Sequence, residues 1–271
     1  MSVLEAGFDG VLAAPGPRPM DWPALRAAAG DMPCSFPAVR ASSVLASASA
    51  TAGLCAGAGP RAAALAAVRH AVQTARAIGT PIVVLEPGLV PVLGEVEADD
   101  LGDPSYQWTA ERGAALLARR RVRRDEALDH ACRAVHGLVR EHAGIQFCLT
   151  SGRNVRTVGD RAGLRDLFED LGNLPLGYWH DAGVAARREQ VFGEAQGEWL
   201  EDFGNRLQGM SLCDASPDGM QLPPGSGGVD YGLLATYVPR SKTFPTALEL
   251  DPSVAPGDFA GMRSCLDKFG L

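Results

Sequence analysis

Short, continuously apolar runs alternate with longer segments of helical spacing along this chain of 271 residues, and this alternation restricts its fold more than any other feature. The runs TPIVVLEPG (80–88) and GIQFCLT (144–150) are typical of strands that are buried on both faces. Alternating strands and helices of these lengths predict an α/β protein with a parallel sheet. Because no glycine-rich nucleotide-binding loop follows an early strand, a TIM-type barrel is favoured over an open sheet.

The spacing predicts seven strands, with five helices between and after them. The strands are 10–14, 36–41, 81–86, 145–150, 176–181, 209–214 and 244–250, and the helices are 62–78, 124–142, 164–171, 198–207 and 259–269. A complete barrel has eight strands. We therefore expect that the first βα unit is missing or truncated, or that Met1 is not the natural start. Such a barrel has two open sheet edges, and a homodimer is one way to cover them.

Composition indicates a soluble protein with a single domain over 1–271. Hydrophobic residues make up 46% and charged residues 21%, and the net charge of −7 gives no reason to expect a nucleic-acid partner. No signal peptide and no apolar window of membrane-spanning length is found. The six cysteines are scattered without a CxxC pair, which predicts free thiols and a cytoplasmic location. The longest irregular stretch, 91–124, is predicted to be a loop at the barrel mouth.

Acidic residues follow several strands in the last third of the chain. Asp181, Asp214 and Glu249 each come at the end of a predicted strand, and a glycine-rich loop, PPGSGG, lies at 223–228. Carboxylates at the carboxyl ends of barrel strands meet in one mouth, where they can hold a metal ion or transfer protons. The same stretch lacks histidines where a tight metal site would need them.

The order and the amino-acid sequences of these segments resemble those of the xylose isomerase-like TIM barrels, the superfamily of sugar phosphate isomerases/epimerases and endonuclease IV. The resemblance covers nearly the whole chain and depends on five segments, which are 4–12 (LEAGFDGVL), 71–88 (AVQTARAIGTPIVVLEPG), 176–185 (LGYWHDAGVA), 206–231 (RLQGMSLCDASPDGMQLPPGSGGVDY) and 247–250 (ALEL). It implies a divalent metal at the mouth, held by a Glu ending the fifth strand, an Asp ending the sixth, a His in the seventh and a Glu ending the eighth. In such proteins the two Glu residues also move a proton between adjacent sugar carbons.

The chain matches only part of that pattern. Asp181 and Glu249 occupy the sixth- and eighth-strand positions. Five other functional positions carry small, neutral or apolar residues, namely Thr150, Val184, Ser211, Gln221 and Ser226. Two carboxylates without imidazole make a weak, open site. The resemblance therefore implies a degenerate metal site that binds a divalent cation (Mg, Mn or Zn) weakly or not at all.

Each candidate residue also has a structural interpretation. Asp181 and Glu249 are either residual ligands and proton-transfer groups or partners of an inward arginine such as Arg40 or Arg153. Glu86 is either a substitute base or a member of an ion pair at the rim of the core. Asp214 is either a ligand-binding residue or a cap of the following loop.

Other polar residues are predicted to be structural. His180 precedes Asp181 on a strand, so its side chain should point the opposite way, towards the helices. His130 and His136 do not share a helix face, which argues against a metal site. Cys148 and Cys213 are expected to be buried, inert thiols. The basic run at 118–124 is interpreted as a solvated helix start rather than a phosphate clamp.

The leading hypothesis is a sugar or sugar-phosphate isomerase/epimerase-like protein with a degenerate metal site. Glu249 would be the base, and Asp181 would anchor a weak metal or a substrate hydroxyl. The residues predicted to bind the small carbohydrate-like ligand are Arg40, Glu86, Thr150, Arg153, Ser211 and Asp214. The alternatives are a non-catalytic binding or regulatory barrel and a metal-independent isomerase or lyase.

Overall fold

A curled parallel sheet forms the centre of the protein. The computed structural model describes residues 5–15, 21, 22, 24, 27, 34–41, 53–239 and 244–271. The strands are β1 (Val39–Ala41), β2 (Ile82–Leu85), β3 (Gln146–Thr150), β4 (Leu176–Asp181), β5 (Leu207–Leu212), β6 (Asp214–Ser216), β7 (Gly219–Leu222) and β8 (Thr246–Leu248). The sheet has the order β1-β2-β3-β4-β5-β8, and β6 and β7 form a separate antiparallel hairpin.

Helices connect and cover the strands. They are α1 (Ala58–Ile78), α2 (Ala110–Arg121), α3 (Arg124–Glu141), α4 (Arg161–Asp170), α5 (Ala182–Phe192), α6 (Gln196–Phe203), α7 (Tyr231–Tyr237) and α8 (Phe259–Asp267). Short 3₁₀ turns lie at Gly53–Cys55, Gly204–Arg206 and Pro256–Asp258. The parallel strands joined by helices confirm the predicted α/β class. Within the described residues, none of these helices combines the length and apolar character that crossing a bilayer would require.

Side-chain alternation along β4 separates the two faces of the sheet. Trp179 packs inside the curl against Ala38, Val84 and Cys148. Tyr178 points outwards into the main core, where its ring lies 5.0 Å from that of Phe203. The inward set on this strand therefore ends with Asp181, because residues of equal parity share a face.

The predicted strand 10–14 is wrong as a regular strand. Only the isolated parallel bridges Gly10–Ser35 and Ala13–Val39 occur there, and the register shifts by one residue between them. Pro37 lies within the shift and has no N–H to donate, so a continuous ladder cannot form. Among the described residues the sheet therefore has six regular strands instead of the predicted seven. The homodimer predicted to cover an open edge stays a prediction.

Five predicted helices match α1, α3, α4, α6 and α8 within a few residues, whereas α2, α5 and α7 were not predicted. The helix α2 lies within the predicted mouth loop 91–124. The first part of that segment pairs with the chain after β3. The N–H of Leu101 donates to the carbonyl oxygen of Arg153 (3.0 Å), and the N–H of Val155 donates to the carbonyl oxygen of Asp99 (2.8 Å). This segment is therefore fastened beside the mouth.

The basic run at the end of α2 is used largely for structure. Arg119 donates to the carbonyl oxygens of Leu93 (2.7 Å) and Glu95 (2.8 Å). Arg120 is buried and pairs with Asp160, the N-cap of α4. These contacts tie the mouth segment and α4 to α2. The run spans the end of α2 and the first residue of α3, and Arg120 is buried, so the predicted solvated helix start is only partly correct.

Candidate functional site

The carboxyl ends of the parallel strands bring five polar side chains together. Arg40 is in β1, Asp181 ends β4 and Ser211 lies near the end of β5, while Glu86 and Glu249 come directly after β2 and β8. The register pairs Asp181 with Ser211 and Ser211 with Ala247, so these positions lie side by side at one edge. Sequence analysis predicted all five residues for this mouth.

The guanidinium of Arg40 lies at the centre of the group. Its Nη1 is 2.6 Å from Oε2 of Glu249 and donates to Oγ of Ser211 at 3.4 Å. Its Nη2 is 3.4 Å from Oε1 of Glu86 and 3.6 Å from Oδ2 of Asp181. One cation therefore contacts three carboxylates that come from three different strands.

Burial makes this arrangement electrostatically strong. The exposed fraction of the side chain is 16% for Arg40, 8% for Asp181, 19% for Glu86 and 24% for Glu249. Burial raises the pKa of Asp181 above its usual range, and Glu249 raises it further, while Arg40 opposes the shift. Burial also raises the pKa of Glu86 against the effect of Arg40. Burial acts to lower the pKa of Arg40, but Glu249, Asp181 and Glu86 outweigh it and the pKa is raised.

Asp181 is held in place by a second interaction. Its Oδ1 accepts a hydrogen bond from the N–H of Val184 (3.0 Å), so Asp181 is the N-cap of α5. An N-cap carboxylate satisfies a backbone N–H that lacks a helical partner. Oδ2 remains directed at Arg40, and this fixes the orientation of the carboxylate at the mouth.

The charged group borders a cavity of about 180 Å³. Besides Arg40, Glu86, Asp181 and Glu249, it is lined by Arg153, Val184, Cys213, Met220 and Gln221. This volume is below the roughly 300–1,000 Å³ of pockets for drug-sized ligands, so it suits a small ligand.

Arg153 lies at the rim and is engaged by other residues. Its Nε donates to Oδ1 of Asp100 (2.7 Å), and its Nη1 donates to Oε1 of Gln221 (3.0 Å). Gln221 has a φ of 59°, the left-handed region that non-glycine residues rarely adopt. Such strain is common at functional sites. Sequence analysis did not single out Asp100, because nothing in the pattern of the 91–109 segment marks one acid above the others.

Thr150 and Asp214, two other predicted ligand-binding residues, do not line this cavity. Thr150 is fully buried, and its hydroxyl has no hydrogen-bond partner among the described residues. Asp214 accepts from three backbone N–H groups, those of Ala215 (3.0 Å), Gly225 (2.9 Å) and Val229 (3.0 Å). Asp214 therefore anchors the glycine-rich loop, which is the structural interpretation of this residue.

Replacing Asp214 by asparagine should lower the free energy of unfolding by about 1–3 kcal/mol, because a buried amide cannot accept as many hydrogen bonds as the carboxylate. Urea denaturation measures the change. Asp218→Asn, at an exposed position of the same hairpin, is the matched control and should leave stability within about 0.5 kcal/mol. Equal stability of both variants would show that the three N–H contacts contribute nothing.

The structure also shows the surroundings of the histidines and cysteines that the sequence analysis interpreted as structural. Nδ1 of His180 shares a hydrogen bond with Oη of Tyr178 (2.9 Å), on the helix side of the sheet, as predicted. Burial raises the pKa of Cys148 to about 12, and it also raises that of Cys213. Thiols with such pKa values are not nucleophiles near neutral pH. Nδ1 of His130 lies 3.2 Å from the carbonyl oxygen of Cys55.

Three larger cavities lie beside β8, two of about 500 Å³ and one of about 600 Å³. Thr246 borders all three of them, and most of the other lining residues are apolar. The mouth is smaller, but it is where three acids and two arginines converge. A small cavity lined by convergent charged side chains, with shifted pKa values for Arg40, Glu86 and Asp181, is the better candidate for a functional site.

Comparisons with known proteins identify the fold. No family model matches the chain, and no curated protein does. A solved D-tagatose 3-epimerase-like protein is similar over 98% of this chain and 90% of its own, with a TM-score of 0.66 and 16% identity. The described residues share the fold of this protein, an α/β fold with a curled parallel sheet of TIM-barrel type.

Two further solved structures have the same fold. A putative xylose isomerase from Rhodospirillum rubrum matches over 98% of this chain and 89% of its own, with a TM-score of 0.65 and 14% identity. The IolI protein, solved with a bound zinc atom, matches over the same shares with a TM-score of 0.59 and 10% identity. The resemblance found in the sequence is thus confirmed at the level of the fold.

The residues at the mouth do not fit a divalent ion of the kind bound by IolI. Within the part of the chain that is described, no group of three or more His, Cys, Asp or Glu residues is placed to hold a metal. A guanidinium lies between the carboxylates that would have to converge on the ion.

Proposed function

We propose that this protein is a sugar isomerase/epimerase-like barrel that binds a small carbohydrate-like ligand at its mouth and has a degenerate divalent-metal site. The observation that carries the proposal is the convergence of Glu86, Asp181 and Glu249 on one small cavity at the carboxyl ends of the strands. Carboxylate oxygens accept hydrogen bonds from sugar hydroxyls. The barrels of similar structure include a D-tagatose 3-epimerase-like protein, which supports this ligand class.

The charges at the mouth favour a neutral sugar over a sugar phosphate. Three acids line the cavity, and each of its two arginines is already paired, Arg40 with those acids and Arg153 with Asp100. A phosphate group would have to displace these partners and approach the carboxylates. Like charges at short range in a partly buried site cost several kcal/mol.

The remaining groups could carry proton transfer without a metal. Glu249 would remove the proton from a carbon next to a carbonyl, and Asp181, whose raised pKa lets it hold a proton, would supply one to the intermediate. Glu249 ends this step protonated and Asp181 ionised, and a second transfer restores them. Arg40 would stabilise the negative charge that develops on the substrate oxygen.

A non-catalytic binding barrel is the second candidate. It is favoured by the 2.6 Å contact between Glu249 and Arg40, because the carboxylate would have to give up this hydrogen bond to reach a substrate proton. Both candidates need the same ligand site, so binding and proton exchange must be measured separately.

The decisive experiment combines ligand binding with isotope exchange. We expect neutral ketoses to raise the melting temperature of the protein and their phosphates to have a smaller effect at equal concentration. If the protein is an enzyme, NMR in D₂O should show exchange of the proton next to the ketose carbonyl, and Glu249→Gln should lower its rate by about 10²–10⁴-fold.

Glu201→Gln, an exposed change on α6, is the matched control and should leave the exchange rate unchanged. Binding without exchange would establish the non-catalytic barrel. A panel of ketoses, aldoses and polyols that produces neither stabilisation nor exchange would contradict the proposed function.

A further inference from the structure

We propose that the guanidinium of Arg40 is a tethered cation that takes the place of a divalent metal ion at the mouth. This inference deepens the proposed function, since it explains why the metal site is degenerate. Its first support is position. Apart from β3, every strand of the sheet contributes to the contacts: β1 carries Arg40, and its partners come from β2, β4, β5 and β8.

Both terminal nitrogens of the cation have protein partners. Nη1 of Arg40 contacts Glu249 and Ser211, and Nη2 contacts Glu86 and Asp181. A guanidinium has five N–H donors in a fixed plane, so it can serve several acceptors at once from separate nitrogens. The acids are therefore oriented by a planar hydrogen-bond donor rather than towards a point charge.

The space between the carboxylates also suits a guanidinium better than a metal. Divalent ions hold oxygen ligands at about 2.0–2.6 Å from one centre. Here the carboxylate oxygens of Glu249, Glu86 and Asp181 lie 2.6–3.6 Å from two separate nitrogens of Arg40. A metal would need these oxygens to close in, and the guanidinium holds them apart.

The neighbouring neutral residues match a cation of lower charge. Thr150 ends β3, the strand that contributes no group to the contacts, and it is neutral and buried. Ser211 offers Arg40 a hydroxyl, and its Oγ also accepts from Nε1 of Trp179 at 2.9 Å. A single positive charge needs fewer anionic partners than a divalent ion. Neutral side chains at these two positions therefore keep the excess of negative charge around Arg40 small.

Binding of Mn²⁺ tests the inference. The wild-type protein should show no saturable uptake of Mn²⁺ up to about 1 mM in calorimetry or in the EPR signal of free Mn²⁺. Arg40→Ser removes the cation and leaves room for an ion, so this variant should take up one equivalent with at least about tenfold higher affinity. Adding Glu249→Gln to Arg40→Ser should abolish that gain.

Arg40→Lys is the matched control, because it keeps a positive charge at the same position and should bind no Mn²⁺. If Arg40→Ser is insoluble without metal, its recovery on refolding is measured with Mn²⁺ and with EDTA, and higher recovery with Mn²⁺ supports the inference. Stoichiometric Mn²⁺ uptake by the wild type would overturn it. So would an Arg40→Ser protein with no Mn²⁺ dependence in either binding or refolding.

The readout is independent of sugar chemistry. Mn²⁺ uptake reports only on what holds the carboxylates, whereas sugar stabilisation and isotope exchange report on the ligand. A protein that ignores every sugar but behaves as expected towards Mn²⁺ would keep this inference and lose the proposed function.

Discussion

Replacing Arg40 by methionine should lower the free energy of unfolding by about 3–5 kcal/mol at pH 8, because it leaves buried carboxylates without their cation. The methionine side chain fills much of the same space, so the loss reports on charge rather than on a cavity. Burial already raises the pKa of Asp181 and of Glu86 while Arg40 opposes the shift, so removing Arg40 raises both further.

The pH dependence of this loss has a definite sign. A carboxyl whose pKa is higher in the folded than in the unfolded state binds its proton first in the folded state, so folding becomes more favourable as the pH falls towards that pKa. The deficit of Arg40→Met relative to the wild type should therefore be largest at pH 8 and smaller at pH 5. Urea denaturation of both proteins at the two pH values measures it.

Two further variants identify the cause. Arg40→Lys should retain more of the stability than Arg40→Met, since it keeps the charge but not the planar donor geometry. Glu249→Gln should destabilise the wild type and stabilise Arg40→Met, because the two side chains interact directly. A methionine variant as stable as the wild type at pH 8 would mean that solvent, not Arg40, keeps these acids ionised.

The mouth could be predicted from the sequence because parallel strands place their carboxyl ends at one edge. Glu86 follows an apolar run that predicts a strand, and Asp181 ends another predicted strand. Both acids could therefore be placed at the mouth without any knowledge of side-chain contacts. Arg40 and Arg153 were equal candidates for pairing with these acids. Only the structure separates them, because the partner of a long side chain depends on its rotamer and on which segment lies above it.

The sequence left two roles open for Asp214, and it could not decide between them for a related reason. Its hydrogen-bond donors include Gly225 and Val229, which follow it by 11 and 15 residues and reach it only when the hairpin folds back. A strand-ending acid has the same sequence pattern whether it faces a ligand or a loop. The prediction of a strand at 10–14 was wrong because Pro37, in the neighbouring segment, cannot donate a ladder hydrogen bond to it. The sequence does not show which residues Pro37 will lie beside, so this effect could not be foreseen.

Lowering the pH from 7 to 5 should destabilise the wild-type protein by about 2 kcal/mol more than a His180→Gln variant. His180 is fully buried, and burial lowers its pKa from 6.5 to about 3. Its Nδ1 shares a hydrogen bond with Oη of Tyr178, while Nε2 has no partner among the described residues. Charging the ring would place a positive charge in the buried core away from water, so the folded state excludes the proton.

The sign follows from proton binding in the two states. Between the folded pKa of about 3 and the unfolded pKa of 6.5, the unfolded chain takes up a proton at His180 and the folded chain does not. The contribution to stability is therefore complete above pH 6.5 and is lost as the pH falls, by up to about 4–5 kcal/mol in total. Glutamine cannot be protonated but can still contact Tyr178. The His180→Gln variant therefore lacks this pH-dependent contribution to the free energy of unfolding. Urea denaturation at constant ionic strength gives the difference, and parallel pH profiles would show that His180 is charged in the folded protein.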